Sequence, residues 1–278
     1  MTAVPLETVP PIAPQAQTVG LRRDTCPHPL IEEVYASRRV PLPGGASAPM
    51  NVYIPREQGD YLYSLVRHYR PSRTIEVGLA NGLSTVCIAA GLEANGSGTH
   101  TAIDPFQECD WGNAGLELVH RAGLSHRLRH IADYSHRALA DLERDGYSCT
   151  FAFVDGAHLF DYVIADFLCI DRVLDAGGLI VFDDSDWPAV RQAIRYILAN
   201  RAYEVAHPEV VIESRPPTPT MSARLIRRLG RALPRFGSKL RPDFLRPDEE
   251  LALHGRCIAL RKLDHDHRNS QSRCHEPF

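Results

Sequence analysis

Residues 151–163 read FAFVDGAHLFDYV, and residues 178–186 read GLIVFDDSD. Each opens as a short apolar run and ends abruptly in acid, Asp155 in the first and Asp183 with Asp184 in the second. A run of four to six apolar residues that stops at a carboxylate is the pattern of a strand buried on both faces, its tip reaching solvent. His158 follows Asp155 by three residues. Two readings of the acids are open at this point. They cap the helices that follow, or they hold a metal and a substrate.

Working outward, the same alternation fills the middle of the chain. PREQGDYLYSLVRHYRP (55–71) has apolar residues at helical spacing and stops at a proline. TIEVG (74–78), HTAID (100–104), LRHIA (128–132), CTFAFVD (149–155) and LIVFDD (179–184) are strand-like. Between them, STVCIAAGLEA (84–94), GNAGLELVHRAGL (112–124), SHRALADLERDG (135–146), VIADFLCIDRVLDAGG (163–178) and WPAVRQAIRYILANR (187–201) carry helical periodicity. Strands alternating with helices predict a doubly wound α/β domain with a parallel sheet covered on both faces. Ligands of such sheets sit beyond the carboxyl ends of the strands. Glu76, Asp104, Asp155, Asp183 and Asp184 all fall at or near those ends.

The first strand-to-helix turn reads EVGLANGLS, from Glu76 to Ser84. Gly78 allows a tight turn, and Gly82 allows close approach of backbone to a ligand. A dinucleotide turn would be G-x-G-x-x-G, seating pyrophosphate on the helix N-terminus. Here the spacing is G-x-x-x-G with an acid two residues ahead, which disfavours pyrophosphate and suits a cationic ligand. S-adenosylmethionine carries both a sulfonium and an amino group. Asp104, ending the next strand, is placed to accept hydrogen bonds from ribose hydroxyls.

These motifs together, TIEVGLANGLST, AIDPFQ, FVDGAHLFDYV and GGLIVFDD, resemble class I S-adenosylmethionine-dependent methyltransferases over residues 50–202. The pattern is similar to the bacterial methyltransferase 24 family and, more distantly, to catechol O-methyltransferases. The resemblance implies a Rossmann-like, mostly parallel seven-stranded sheet with helices on both faces. It implies that Glu76, Gly78, Gly82, Ser84 and Asp104 line the cofactor, with Asp133 or Ser135 at its adenine edge; both of these are also good helix N-caps. It implies that MNV (50–52) touches the methionine end. By the same likeness Asp155, Asp183 and Asp184 ligate a divalent cation, Mg²⁺ above all, an all-oxygen set that suits a hard ion.

His158 stands where the catechol enzymes place a catalytic lysine. A hydroxyl is a poor nucleophile until its proton leaves, and histidine, with an ordinary pKa of about 6.5, can take it at neutral pH. Asp155 would act beside it. The expected activity is O-methylation of a small molecule or a sugar or glycan. The alternatives are a nicotinamide-dependent oxidoreductase and a non-catalytic S-adenosylmethionine-binding or assembly protein. Packing readings stand beside these: Asp184 as cap of the helix from Trp187, Asp161 as structural partner of His158, and Trp111 as either pocket wall or core anchor.

Composition adds limits. Seven cysteines at irregular spacing (26, 87, 109, 149, 169, 257, 274) and no C-x-x-C predict free thiols and a cytoplasmic setting. No apolar run is long enough to span a membrane. The first twenty residues do not read as a signal peptide; with four prolines they read as an extended leader. The expected organisation is a leader (1–25), a helical segment (26–72), the methyltransferase core (73–205), a Pro-rich link with a basic insertion (206–255), and a final strand with a polar tail (256–278).

Residues 215–246 hold nine Lys/Arg against Asp243 alone, in a chain of net charge −3. Within them MSARLIRRLGRALPRF (221–236) is amphipathic, with Leu225, Ile226, Leu229 and Leu233 on one face. Contact with an anionic membrane, an anionic substrate, a lid over the site and a homo-oligomer interface are its readings. Nucleic acid is not expected, because no aromatic residues interleave the basic ones.

Overall fold

In the computed structural model, residues 20–213 and 247–269 are described. The basic stretch 221–236 lies outside them. The described chain runs through α1 (Pro29–Ser37), a hairpin of β1 (Arg39–Pro41) and β2 (Ser47–Pro49), α2 (Arg56–Tyr69), β3 (Arg73–Val77) and α3 (Leu83–Asn95). It continues with β4 (Thr99–Ile103), α4 (Ala114–Arg121), β5 (Leu128–Ile131), α5 (Ser135–Arg144), β6 (Cys149–Val154) and α6 (Phe160–Val173). The last elements are β7 (Leu174–Phe182), α7 (Pro188–Asn200), β8 (Tyr203–Ala206) and β9 (Ile258–Lys262).

Seven strands form one sheet in the order β5-β4-β3-β6-β7-β9-β8. The first five are parallel, and β9 lies antiparallel between β7 and β8. Alternation along each strand feeds two helix layers. Phe151, Phe153, Leu179 and Val181 pack with α1 to α4, whereas Ala152, Val154, Ile180 and Phe182 pack with α5 to α7. That is why these strands read as unbroken apolar runs.

Two local expectations differ. The segment 26–72 is not helical throughout: Pro41, Pro43 and the Gly44–Gly45 pair, both glycines at positive φ, fold the β1–β2 hairpin between α1 and α2. The helix expected to run to residue 178 ends at Val173, and Leu174 already pairs with Cys149 in the sheet. The register then slips, so that Leu179 faces Phe151, and Gly177 takes φ +86° in the bulged stretch.

Candidate active site

The turn after β3 is held under tension by β4. Ala80 adopts φ +44°, a left-handed conformation costly for a residue with a side chain. The Asp104 carboxylate clamps it: Oδ2 accepts from the Leu79 amide (3.1 Å), the Ala80 amide (2.8 Å) and Gln107 Nε2 (3.0 Å). Gln107 Nε2 also donates to the Ala80 carbonyl at 2.8 Å. Among the described residues Asp104 Oδ1 accepts only from the Phe106 amide (2.8 Å), which leaves it acceptor capacity towards a ligand.

The two glycines of the turn serve its packing. A Cβ on Gly78 would stand 2.1 Å from the Asp155 carbonyl oxygen, so only glycine lets the β3 and β6 tips meet. A Cβ on Gly82 would stand 2.8 Å from Gly115 Cα. Gly82 thus lets the turn pack closely on helix α4. Ser84 is buried in the first turn of α3.

Glu76 is fully buried, with Oε2 accepting from Thr85 Oγ1 (2.5 Å) and 3.0 Å from His100 Nε2. His100 Nδ1 in turn lies 2.7 Å from Thr74 Oγ1. Glu76 Oε1 is buried with no partner. An orphan carboxyl oxygen of this kind is what an ammonium-bearing ligand satisfies. Asn81 Nδ2 donates to the Val52 carbonyl (2.7 Å), which ties the MNV segment to the same turn.

At the tips of β4 and β5, Phe106 and Tyr134 are exposed and meet edge to face, 5.9 Å between ring centroids. They form an exposed apolar corner beside Asp104. Asp133 accepts from the Tyr134 amide (2.7 Å), and the Ser135 hydroxyl donates to Asp166 Oδ1 (2.5 Å). Neither caps α5, whose N-cap is Tyr134 without a side-chain bond. The aromatic pair escaped the sequence reading. The adjacency of DPF and DYS, each just beyond a strand, was the available signal.

The acids that opened the sequence reading are not caps either. The N-caps of α6 and α7 are Leu159 and Trp187, both without side-chain bonds. Asp155, Asp183 and Asp184 converge instead. Burial, with Asp183, Glu76 and Asp184 close by, pushes the Asp155 carboxyl well above the usual carboxylate range. Burial and Asp183 raise Asp184, against the pull of Arg256 and His158. Asp184 itself takes φ +44°.

His158 Nε2 lies 3.4 Å from Asp184 Oδ2 and 3.9 Å from Asp155 Oδ1, and its ring meets Trp187 at 5.0 Å. Asp161, expected as its structural partner, is exposed. Trp187, half exposed, is the aromatic residue at this end, and Trp111 is only partly buried.

A cation already stands among the acids. Arg256, two residues before β9, places Nη2 2.5 Å from Asp184 Oδ1 and 3.3 Å from Asp183 Oδ1. The expected metal set thus takes a different form: its oxygens face a guanidinium, a neighbouring amide and an imidazole. Among the described residues no group of His, Cys, Asp or Glu is arranged to hold a metal ion. As they stand, these side chains do not fit a bound divalent cation.

Residues 75–185 match a family model described as a methyltransferase domain. A caffeoyl-CoA O-methyltransferase of Stellaria longipes is 34% identical over 132 residues, 46% of this chain and 52% of that protein. A flavonoid 3',5'-methyltransferase of Vitis vinifera is 28% identical over 137 residues, 48% of this chain and 56% of that one. The chain spans about half the length of the curated relatives it matches. An O-methyltransferase from Bacillus cereus, solved with S-adenosylhomocysteine, superposes with a TM-score of 0.51 at 18% identity, covering 68% of this chain and 85% of that one. The core is therefore a Rossmann-like methyltransferase fold, as the motifs implied.

Proposed function

We propose that the protein is an S-adenosylmethionine-dependent O-methyltransferase acting on a hydroxyl of a small molecule, a phenol or a sugar or glycan. The observation that carries this is the His158–Asp184 pair, standing at the tips of the same sheet that carries the clamped β3 turn. When bound, S-adenosylmethionine supplies a methyl group on a positively charged sulfur. Asp104 Oδ1 and the Phe106–Tyr134 surface suit a ribose and a flat base, and the unpartnered Glu76 Oε1 suits the amino group. Gly78, Gly82, Ser84, Asp133 and Ser135 support this pocket through the backbone they shape.

On the acceptor side, His158 with its Nε2–H directed at Asp184, 3.4 Å away, keeps a lone pair at Nδ1. That atom takes the acceptor's hydroxyl proton as the oxygen becomes nucleophilic. Asp184 fixes the tautomer and stabilises the imidazolium that results. Trp187 packs on the ring and offers an apolar wall to the acceptor. Asp183 and Asp184, two of the three carboxylates that the resemblance assigns to a divalent cation, are engaged with Arg256 instead. A cytoplasmic setting goes with this reading, and six cysteines of the described residues are free.

Calorimetry with S-adenosylhomocysteine, with NADH as control, tests the cofactor half. Binding of the former alone is expected; binding of NADH instead would sink the proposal. With an acceptor found among phenols and sugars, His158→Ala should bind S-adenosylhomocysteine as the wild type does yet lose roughly 10²–10⁴-fold in kcat. A near-normal kcat would remove His158 from the chemistry.

A further inference from the structure

Arg256 is not a loose surface side chain that happens to reach the acids. Its amide donates to the Ile212 carbonyl at 3.1 Å, and its carbonyl accepts from the Ser185 amide at 2.7 Å. Gly255, just before it, takes φ +75°, and a Cβ there would stand 2.3 Å from the Ile212 oxygen. Arg191 from α7 grips the same corner, donating to the carbonyls of Ser185 (2.5 Å), Leu253 (2.5 Å) and Gly255 (3.1 Å). The β7–β9 register, in which Phe182 faces Ile258, sets Asp184 opposite Arg256 when continued by two residues. The guanidinium is thus delivered to the strand tips by the sheet itself.

Its contacts engage Asp183 and Asp184, two of the three carboxylates a metal would need. Nη2 reaches Asp184 Oδ1 (2.5 Å) and both Asp183 oxygens (3.3 and 3.4 Å), and Nε reaches Asp183 Oδ1 at 3.4 Å. Asp183 Oδ1 further accepts from the Asp184 amide (2.6 Å), and Asp184 Oδ2 faces His158. A divalent ion bound by these aspartates would have to displace the guanidinium from both. Guanidinium forks match carboxylates well and stay charged at any working pH.

We propose that Arg256 is the resident counter-ion of the strand-tip aspartates and takes the place of a divalent cation there. It is a positioning residue: it holds Asp184 in the orientation that serves His158. This inference rests on the proposed O-methyltransferase reading for the role of His158, but the cation exchange it asserts is separate.

The test uses the full-length protein and Mn²⁺ alone as probe, with bound Mn²⁺ read by electron paramagnetic resonance. Arg256→Ala and the volume-conserving Arg256→Met are compared with wild type, and each sample is also titrated with S-adenosylhomocysteine. Mn²⁺ should bind either variant at least ten-fold more tightly than it binds wild type, because Asp183 and Asp184 lose their cation beside a third acid, Asp155. Equal Mn²⁺ affinity in wild type and a folded variant overturns the proposal, as does tight wild-type binding that Arg256→Met leaves unchanged. If Arg256→Ala fails to fold, Arg256→Met carries the same two outcomes. Loss of S-adenosylhomocysteine binding in wild type would overturn the methyltransferase reading while leaving the Mn²⁺ comparison to judge Arg256.

Discussion

The sheet carries an ionic cluster at each end, both built on aspartate facing basic side chains and wired differently. At the amino ends of the parallel strands, buried Asp171 meets Lys262 Nζ (3.1 Å), Arg201 Nη2 (2.7 Å) and the Tyr203 hydroxyl (2.6 Å). Lys262, 1% exposed, also donates to the carbonyls of Asp171 (2.5 Å) and Leu174 (2.8 Å). One acid faces two cations, and Lys262 has all three donors used. At the carboxyl ends, Asp183 and Asp184 share Arg256, while Asp155 stands beside them with His158 at the margin. The first cluster is saturated and holds the fold; the second keeps an excess of acid beside His158. A buried ionic group announces a site through the charge left unbalanced around it, not through being buried.

Breaking the saturated end should give the largest effect. Lys262→Met removes the ammonium while keeping most of the volume, and leaves Asp171 and two carbonyls short of donors. Loss of one partner of a buried pair costs about 3–5 kcal/mol. Denaturant unfolding should show that loss, with S-adenosylhomocysteine affinity of the folded fraction unchanged. A loss below about 1 kcal/mol would mean that Arg201 alone balances Asp171.

The unbalanced end should respond in the opposite sense. Asp155→Asn removes one of three crowded acids and keeps a hydrogen-bonding group of the same shape. The folded protein holds the Asp155 proton more tightly than the unfolded chain does, since its carboxyl is pushed well up by burial and by its acidic neighbours. Wild-type stability from this group is therefore full below the unfolded value, about 3.9, and is lost as pH rises above it. The variant should match wild type near pH 4 and exceed it at pH 7.5. Chemical denaturation at the two pH values checks this; a variant less stable at pH 7.5 would mean that the charged form is the one the fold favours.

Most of this contrast was legible only at one end. The strand-tip acids and the glycine turn stand in contiguous motifs, so the methyltransferase fold followed from local pattern. Arg256 was not legible: it lies 72 residues beyond Asp184, in a stretch that reads as the start of a plain strand. Only the antiparallel placement of β9 beside β7 brings it to the acids. The Glu76–His100–Thr74 chain likewise depends on β3 and β4 being neighbours, which no periodicity encodes. The Asp171–Lys262 pair was missed for the same reason, with the added disguise that a lysine in a strand reads as solvent-facing.

A third acid, intermediate between the two clusters, gives the smallest of these effects. Asp166 on α6 is 5% exposed and has one neutral donor, the Ser135 hydroxyl at 2.5 Å, and no cation within an ion-pair contact among the described residues. Burial pushes its carboxyl up to about 6, with the Ser135 bond and His136 pulling the other way. The sign is that of Asp155: stability from this group is present below the unfolded pKa of about 3.9 and is lost as pH climbs towards about 6. Asp166→Asn keeps an acceptor for Ser135 and removes the titration. Its advantage over wild type should be near zero at pH 4 and reach about 2 kcal/mol by pH 7.5, less than the gain from Asp155→Asn. Unfolding curves at pH 4, 6 and 7.5 measure it. A pH-independent difference would mean that Asp166 stays ionised in the fold, and that a single hydroxyl suffices to hold a buried carboxylate there.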